Sequence, residues 1–297
     1  MKDGELAGKM TAIGCAEGEP FGLTVCVATR GRVGLLRERM AGWAAAGFDE
    51  IVIADNSVER CDRWQTQEMC AHYGCTYLSV RPKLEDQRSH ARNLVIARAR
   101  TPWILIQDDD DEIITGWSRN TLEDACKGVD FLMALPGTEV LALERSRMPF
   151  LFRRDLALRV GGYPEFLAGG EDHVLLKKMQ SAGRMGTYDA RNVWVSVKVP
   201  PMVFIAQPVS FVRNLFWYHV GLISVMSVAP SPARFVRGFG RDTLRFVLES
   251  LRLKAGVLLA FAGLAAIAFG LLWSPLQFLR HRKELARTRG VPRASDL

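Results

Sequence analysis

The amino-acid sequence predicts an α/β fold with a mostly parallel mixed sheet flanked by helices, followed by C-terminal helices of another kind. Between residues 21 and 107, short β-branched runs alternate with segments of helical periodicity. That alternation is typical of βαβ crossovers and hence of parallel strands. Near the C-terminus, residues 255–279 form a run of 25 residues without a charge. The chain is therefore expected to combine a sheet domain with an apolar helix.

Four short apolar runs are predicted as buried strands, because each has about five residues and is bounded by turn signals. These runs are residues 23–28, 51–54, 76–80 and 103–107. The intervening helices are predicted at residues 33–46, 59–72 and 87–100. Further along, helices are predicted at 117–126 and 171–180, and strands at 130–135, 139–143, 149–153 and 193–197. This second half indicates a mixed extension of the sheet.

Composition excludes several classes of protein. Of the 297 residues, 48% are hydrophobic and 24% are charged, which argues against intrinsic disorder. The six cysteines include no CxxC pair, so a disulfide scaffold is not expected and a reducing compartment fits better. Acidic Asp3 and Glu5 stand where a signal peptide has its basic region. The bulk of the chain is therefore expected on the cytoplasmic side.

The positive charge of the protein is concentrated at its C-terminal end. Residues 231–297 contain twelve Lys/Arg and four Asp/Glu, a net +8, while the whole chain carries +7. A basic segment can bind nucleic acid or an anionic membrane. Because these charges flank an apolar run long enough to cross a bilayer, a membrane is the favoured partner and nucleic acid is not expected. A buried core helix is the alternative for the apolar run.

The predicted domain organisation follows from these shifts in composition. Residues 1–20 form a loose leader, 21–205 the α/β domain, and 206–253 amphipathic helices that lie on the membrane surface. An ordinary packed helical pair is the alternative for the latter. Residues 254–279 form a transmembrane or re-entrant helix, and 280–297 a basic tail. Basic residues on both sides of the apolar run leave crossing and re-entry open.

The strongest chemical signal is a run of acids directly after the fourth predicted strand. Residues 108–112 are Asp-Asp-Asp-Asp-Glu, at the strand end where α/β sheets bind ligands. Neighbouring like charges about 5 Å apart repel by roughly 3 kcal/mol at an effective dielectric near 20. A hard divalent cation such as Mg²⁺ or Mn²⁺ relieves this repulsion and leaves positions for phosphate oxygens. A solvated acidic turn is the alternative.

Two further acidic positions and two arginines complete the set of candidate residues. Asp55 follows the second strand and can accept hydrogen bonds from a base or ribose, although Asp-Asn-Ser is also good turn chemistry. Glu171 and Asp172 follow two glycines at a predicted helix start, where simple capping is the alternative. Arg88 and Arg92 can hold phosphate or can be surface charges.

Five segments together resemble the family 2 glycosyltransferases with the Rossmann-like GT-A fold. They are LTVCVATRGR, IVIADNS, SHARNLVIARARTPWILIQDDDDEI, LFRRDLALRVGGYPE and GGEDHVLLKKM, which follow the family's order over roughly residues 21–186. The resemblance implies an inverting transferase that uses a nucleotide-sugar donor and Mn²⁺ or Mg²⁺. Ala28 stands where the family often has proline, and DNSVER lacks the family's usual glycine, so a UDP-, GDP- or dTDP-linked donor stays open.

The same resemblance assigns roles to individual residues. Asp172 is implied as the general base on the acceptor hydroxyl, with Glu171 as its partner. Asp108 and Asp110 match the acids of the DxD motif, with Asp110 as the more direct metal ligand and Asp108 also a nucleotide or ribose contact. The residues expected to bind the nucleotide sugar are Thr29, Arg30, Asp55, Arg88, Arg92, Asp108 and Asp109.

Three functional hypotheses follow. The leading one is a membrane-associated hexosyltransferase that modifies a lipid-linked or cell-envelope glycan, as in polysaccharide biosynthesis, with a homo-oligomer left open. The second is a polyprenyl-phosphate sugar transferase, whose acceptor is already ionised and needs no base, so that loss of Asp172 discriminates the two. The third is a non-catalytic scaffold that binds nucleotide and membrane, which hydrolysis of a nucleotide sugar would exclude.

Overall fold

The computed structural model describes residues 21–80, 88–134, 149–167, 171–189, 192–196 and 256–289, together with the single positions 216, 220, 224 and 226. The predicted leader, the predicted strand at 139–143 and nearly all of the predicted amphipathic segment lie outside the described residues. The four single positions are helical and lie within the predicted amphipathic segment 206–253.

The first half of the chain alternates strand and helix, as predicted. The strands are β1 (Leu23–Thr29), β2 (Glu50–Asp55), β3 (Thr76–Ser79) and β4 (Trp103–Asp108). The helices between them are α1 (Val33–Ala45), α2 (Arg60–His72) and α3 (Arg88–Arg98). These four strands are parallel, and β1 lies between β2 and β4. Each observed element agrees with its predicted range to within about two residues.

The second half extends the sheet with one reversed strand. It contains α4 (Arg119–Cys126), β6 (Phe131–Ala134), β7 (Pro149–Arg153), α5 (Arg154–Arg159), α6 (Glu171–Ala182) and β8 (Met185–Tyr188). The main sheet has seven strands in the order β3-β2-β1-β4-β7-β6-β8. Strand β7 is antiparallel to both neighbours, whereas β6 and β8 are parallel. The sheet is therefore mixed, as the sequence predicts.

A small second sheet lies beside the acidic turn. Strand β5 (Asp111–Ile113) pairs antiparallel with β9 (Trp194–Ser196). The sequence predicts a strand at 193–197 but none at 111–113, because a three-residue strand that begins with two acids lacks the usual apolar alternation. Strand β8 and helix α5 are likewise not predicted. Both are short, and their hydrophobic patterns span too few residues to show a period.

The hydrophobic core lies on both faces of the main sheet. One cluster packs under α1 and includes Leu36, Met40 and Trp43, all fully buried. The other packs under α3 and α6 and includes Val95 and Leu175. Strands buried on both faces explain why their sequences are continuously apolar. The two layers of helices hold the carboxyl ends of β1, β2 and β4 at one edge.

A long C-terminal helix follows, α7 (Gly256–Arg289), with 34 residues. It continues past residue 279, so part of the predicted basic tail is helical. The segment Phe261–Lys283 has a mean hydropathy of 1.6 and is long and apolar enough to cross a membrane. Four small residues of α7 are buried, while large apolar side chains on its other side are exposed. The buried ones are Gly263, Ala266, Gly270 and Ser274.

Candidate active site

The carboxyl ends of three neighbouring strands bring the predicted nucleotide-binding residues together. In the sheet register, Thr29 is opposite Asp55, and Ala28 is opposite Asp108. The chain leaves β1 toward β2 on one side and returns as β4 on the other, which makes this edge a topological switch point. Parallel pairing therefore gathers side chains that lie far apart in the sequence.

Asp55 is fully buried and held in a fixed orientation. Its Oδ1 atom accepts a 2.8 Å hydrogen bond from the backbone N–H of Ser57 and another from the Ser57 hydroxyl. Its Oδ2 atom accepts a 3.3 Å bond from the Tyr77 hydroxyl. Burial, together with the charge of Asp55, raises the pKa of Tyr77 to about 12, so the phenol stays a donor. This carboxylate is preorganised to accept hydrogen bonds.

The acidic turn after β4 is held by residues from the end of β1. Asp109 Oδ2 accepts a 2.8 Å hydrogen bond from the Thr29 hydroxyl, and its Oδ1 accepts one of 2.8 Å from Arg32. The same guanidinium lies 3.5 Å from Asp110 Oδ2. Burial raises the pKa of Asp109 to about 6, although Arg32 and Thr29 oppose the rise. Both carboxylate oxygens of Asp109 thus already accept hydrogen bonds from side chains of the protein.

Arg92 connects the acidic turn to the start of α6. Its Nη2 atom donates to Asp108 Oδ1 at 2.9 Å, while Nη1 donates to Glu171 Oε1 at 3.2 Å and to Asp172 Oδ1 at 3.1 Å. The side chain is buried, which lowers the pKa of Arg92, but Asp172 and Asp108 raise it well above its ordinary value. One guanidinium therefore spans the two ends of the predicted site.

Glu171 and Asp172 differ in their surroundings although they are adjacent. Glu171 is buried, whereas Asp172 is half-buried and retains an accessible edge. Burial and the charge of Asp172 raise the pKa of Glu171 from 4.5 to about 7, against the opposing effect of Arg92 and Arg88. Of the two adjacent carboxylates, that of Asp172 is therefore the more accessible from outside.

Residues 161–167 form a loop that is held in place from α3. The amide of Asn93 donates to the Tyr163 carbonyl at 2.9 Å, and its oxygen accepts from the Tyr163 N–H at 2.8 Å. Gly162 has φ of +63°, and a Cβ there would lie 2.4 Å from Asn93 Oδ1, so only glycine fits. The Tyr163 ring lies 5.2 Å from the Arg92 guanidinium. The loop thereby helps to position Arg92.

The structure brings most of the predicted site residues to one edge of the main sheet. Arg92, Asp108, Glu171 and Asp172 form one contact network. Thr29, Asp109 and Asp110 form a second one around Arg32, while Asp55 is held by its own turn and Tyr77. Arg88 is exposed at the start of α3, and Arg30 is half-buried just after β1.

Sequence reasoning missed three supporting residues. Arg32 contacts Asp109 and Asp110, Tyr163 lies against Arg92, and Tyr77 binds Asp55. Arg32 stands two positions after the predicted Arg30. The sequence therefore indicates a basic residue after β1 but does not show which of the two arginines contacts the acidic turn. The two tyrosines carry no local signal, because only the tertiary fold brings them to the site.

The acidic turn offers ligands suited to a hard cation. The described part of the chain contains no group of three His, Cys, Asp or Glu side chains placed to hold a metal together. The oxygens of Asp108 and Asp110 are nevertheless the donor type that Mg²⁺ and Mn²⁺ prefer. The cationic side chain of Arg32 already lies against Asp109 and Asp110, which shows that the turn attracts positive charge. The residues present therefore fit a cation completed by water and phosphate oxygens.

Comparison with known proteins supports the fold. The model of glycosyl transferase family 2 matches residues 20–148. The mannosyltransferase PcManGT from Pyrobaculum calidifontis, in complex with GDP-Man and Mn²⁺, is similar with a TM-score of 0.50 and 16% identity, over 92% of this chain and 86% of that one. At this identity the likeness shows the GT-A fold. A comparison with curated protein sequences found no match.

Structures of S. aureus TarS are also similar. The TarS 1-349 structure in complex with UDP-GlcNAc has a TM-score of 0.46 and 16% identity, over 90% of this chain and 89% of that one. A longer TarS structure has a TM-score of 0.49 and 15% identity, over 91% of this chain and 53% of that one. This chain thus spans about half the length of the longer TarS.

Proposed function

We propose that this chain, a glycosyltransferase with a family 2 domain and the GT-A fold, transfers a sugar with inversion. The donor is a nucleotide sugar, and the acceptor is a hydroxyl of a membrane-bound glycan or lipid-linked sugar. The observation that carries this proposal is the Arg92 bridge between Asp108 and the pair Glu171–Asp172. Because the single Arg92 side chain contacts both places, a donor bound at the acidic turn would lie close to an acceptor bound beside Asp172.

The donor side of the proposal rests on the strand ends. Asp55 offers carboxylate oxygens held by Ser57 and Tyr77, which suits recognition of N–H and O–H groups on a base or ribose. Asp108 and Asp110 would hold Mn²⁺ or Mg²⁺ with the diphosphate. When bound, such a cation supplies electrostatic stabilisation of the charge on the departing nucleoside diphosphate. The mannosyltransferase with the same fold holds GDP-Man and Mn²⁺, which is consistent with this donor class.

The acceptor side rests on Asp172. As the acceptor hydroxyl attacks the anomeric carbon it loses its proton, which a carboxylate within hydrogen-bond reach accepts. Because Asp172 is half-buried and its neighbour Glu171 is buried, Asp172 is the proposed base. The ion pair with Arg92 keeps the Asp172 carboxylate in a fixed orientation. Attack on the face opposite the leaving group inverts the configuration.

The membrane side rests on α7. Its exposed apolar side chains end beside exposed Arg280, Arg282 and Lys283, which is the pattern of a helix that binds an anionic bilayer. We place the catalytic domain on the cytoplasmic side, where nucleotide sugars and basic flanks are found together. The acceptor is then a molecule presented at that membrane surface.

The direct test is a donor screen with the full chain. Thermal shift with UDP-, GDP- and dTDP-sugars, each with and without Mn²⁺, should give stabilisation by one nucleotide that Mn²⁺ strengthens. Addition of membrane extract containing glycan acceptors should then release the nucleoside diphosphate. Nucleotide binding without any turnover would support the scaffold hypothesis instead. Stabilisation equal with and without Mn²⁺ would contradict the metal assignment.

A further inference from the structure

The C-terminal helix α7 contacts the loop that precedes the proposed base. The Nε2 atom of Gln277 donates a 3.0 Å hydrogen bond to the carbonyl of Phe166. The imidazole of His281 stacks on the Phe166 ring, with centroids 3.9 Å apart and planes 2° from parallel. Gln277 and His281 are four residues apart and therefore lie on the same face of the helix. One turn of α7 thus holds both the backbone and the side chain of one loop residue.

That loop is also connected to helix α3 on both sides of Phe166. Tyr163, three residues before Phe166, lies against Arg92 and is held by Asn93. On the other side, the carbonyl of Leu167 accepts a 3.5 Å hydrogen bond from the Ser89 hydroxyl. Helix α6 then begins with Glu171, five residues after Phe166, and α7 packs against α6. A displacement of Phe166 would be transmitted through Tyr163 to Arg92, whose guanidinium binds the proposed base Asp172.

The opposite face of α7 is built to contact lipid. Leu272 is 75% exposed and Leu276 57% exposed, a costly state for such side chains in water. Arg280, Arg282 and Lys283 are exposed at the end of the same apolar segment and complement anionic head groups. The occupant that fits this face is an anionic lipid bilayer. Along α7, Gln277 and His281 lie where the exposed apolar side chains end and these basic side chains begin.

We propose that Gln277 and His281 are positioning residues that couple bilayer binding of α7 to the geometry of the general base. Lipid contact fixes α7, and the two side chains fix Phe166. The loop then holds Arg92 through Tyr163, and Arg92 orients Asp172, which accepts the acceptor proton. The kinetic part of this inference rests on the proposed function. It implies that the site is fully assembled only at the surface where a membrane-bound acceptor is found.

The test uses the full chain on vesicles of phosphatidylglycerol and phosphatidylcholine. His281→Ala and Gln277→Ala should bind vesicles like wild type and keep the KM for the donor, while kcat falls about ten- to hundredfold. His281→Phe keeps an aromatic ring on Phe166 and should restore most of kcat. Leu158→Ala, at an exposed leucine of α5, is the control and should leave both vesicle binding and kcat unchanged.

Hydrogen exchange gives a readout that does not depend on turnover. Adding vesicles to wild type should slow amide exchange in residues 161–167 and 171–182, and His281→Ala should lose that protection. Unchanged exchange, or unchanged kcat in both alanine variants, overturns the proposal. If wild type transfers no sugar, the proposed function fails and the exchange result alone decides the coupling. If His281→Ala does not fold, Gln277→Ala and His281→Phe decide it.

Discussion

Arg92 and Asp172 form an ion pair in which Nη1 lies 3.1 Å from Oδ1, although the two residues are 80 positions apart in the chain. Helix α3 supplies the guanidinium and helix α6 supplies the carboxylate. The same guanidinium binds Asp108 at the end of β4. This pair therefore links the two halves of the proposed site.

Loss of the carboxylate of Asp172 should abolish transfer. Asp172→Asn keeps the size of the side chain but cannot accept the acceptor proton, so kcat should fall about 10²- to 10⁴-fold. Donor affinity, measured by calorimetry, should stay within about twofold. Asp124→Asn, at an exposed ion pair on α4, is the control and should be fully active. Full activity of Asp172→Asn would instead favour an acceptor that is already ionised.

Loss of the charge of Arg92 should destabilise the folded protein. Arg92→Met leaves Asp108, Glu171 and Asp172 together without their shared cation, and removing one partner of a buried ion pair costs about 3 kcal/mol of unfolding free energy. Denaturant unfolding of the solubilised full chain measures this loss. Arg100→Met, at an exposed position, should change stability by less than about 0.5 kcal/mol. Equal effects of the two variants would contradict the central role of Arg92.

The raised pKa of Glu171 predicts a pH dependence of stability. Folding raises this pKa from 4.5 to about 7, so the folded state binds the proton more tightly than the unfolded state. The stability that comes from this proton is fully present below about pH 4.5 and is lost as the pH rises through about 7. The melting temperature should therefore fall over that window. In Glu171→Gln the fall should be smaller, and an identical pH profile would contradict the assignment.

Asp55 should govern donor affinity. In Asp55→Asn the Oδ1 atom can still accept from Ser57, and the new NH₂ group can donate to the Tyr77 hydroxyl, so the fold should persist. The lost carboxylate should raise the donor KM about tenfold, since a hydrogen bond to a charged group contributes about 1.5 kcal/mol. Initial-rate kinetics measure this. Tyr77→Phe should have a smaller effect, because Ser57 still holds Asp55.

The exposed face of α7 should determine membrane binding. Leu272→Asp places a charge on its most exposed leucine and should weaken vesicle binding about hundredfold, because a charge costs about 3 kcal/mol in the apolar layer. Vesicle flotation measures the change. Leu158→Asp, on the exposed surface of α5, is the control and should bind vesicles like wild type. Equal binding by Leu272→Asp and wild type would indicate a soluble helix.

The alternation of strands and helices, the acidic turn after β4 and the apolar C-terminal helix are all predictable from the amino-acid sequence. These features are local, since hydrophobic periodicity and turn chemistry are written into consecutive residues. The family resemblance of the sequence is confirmed by the family model over residues 20–148. The short elements β5, β8 and α5 are not predicted, because too few residues carry each pattern.

Which charged side chains contact each other depends on the packing of distant elements. The sequence names Arg92, Asp108 and Asp172, but their shared contact depends on how α3, β4 and α6 pack. Packing of distant elements also produces the contact of Arg32 with Asp110. It likewise produces the contact of Phe166 with His281, two residues that are more than one hundred positions apart. Such pairs have no sequence periodicity, because their geometry arises from strand order and helix packing rather than from neighbouring residues.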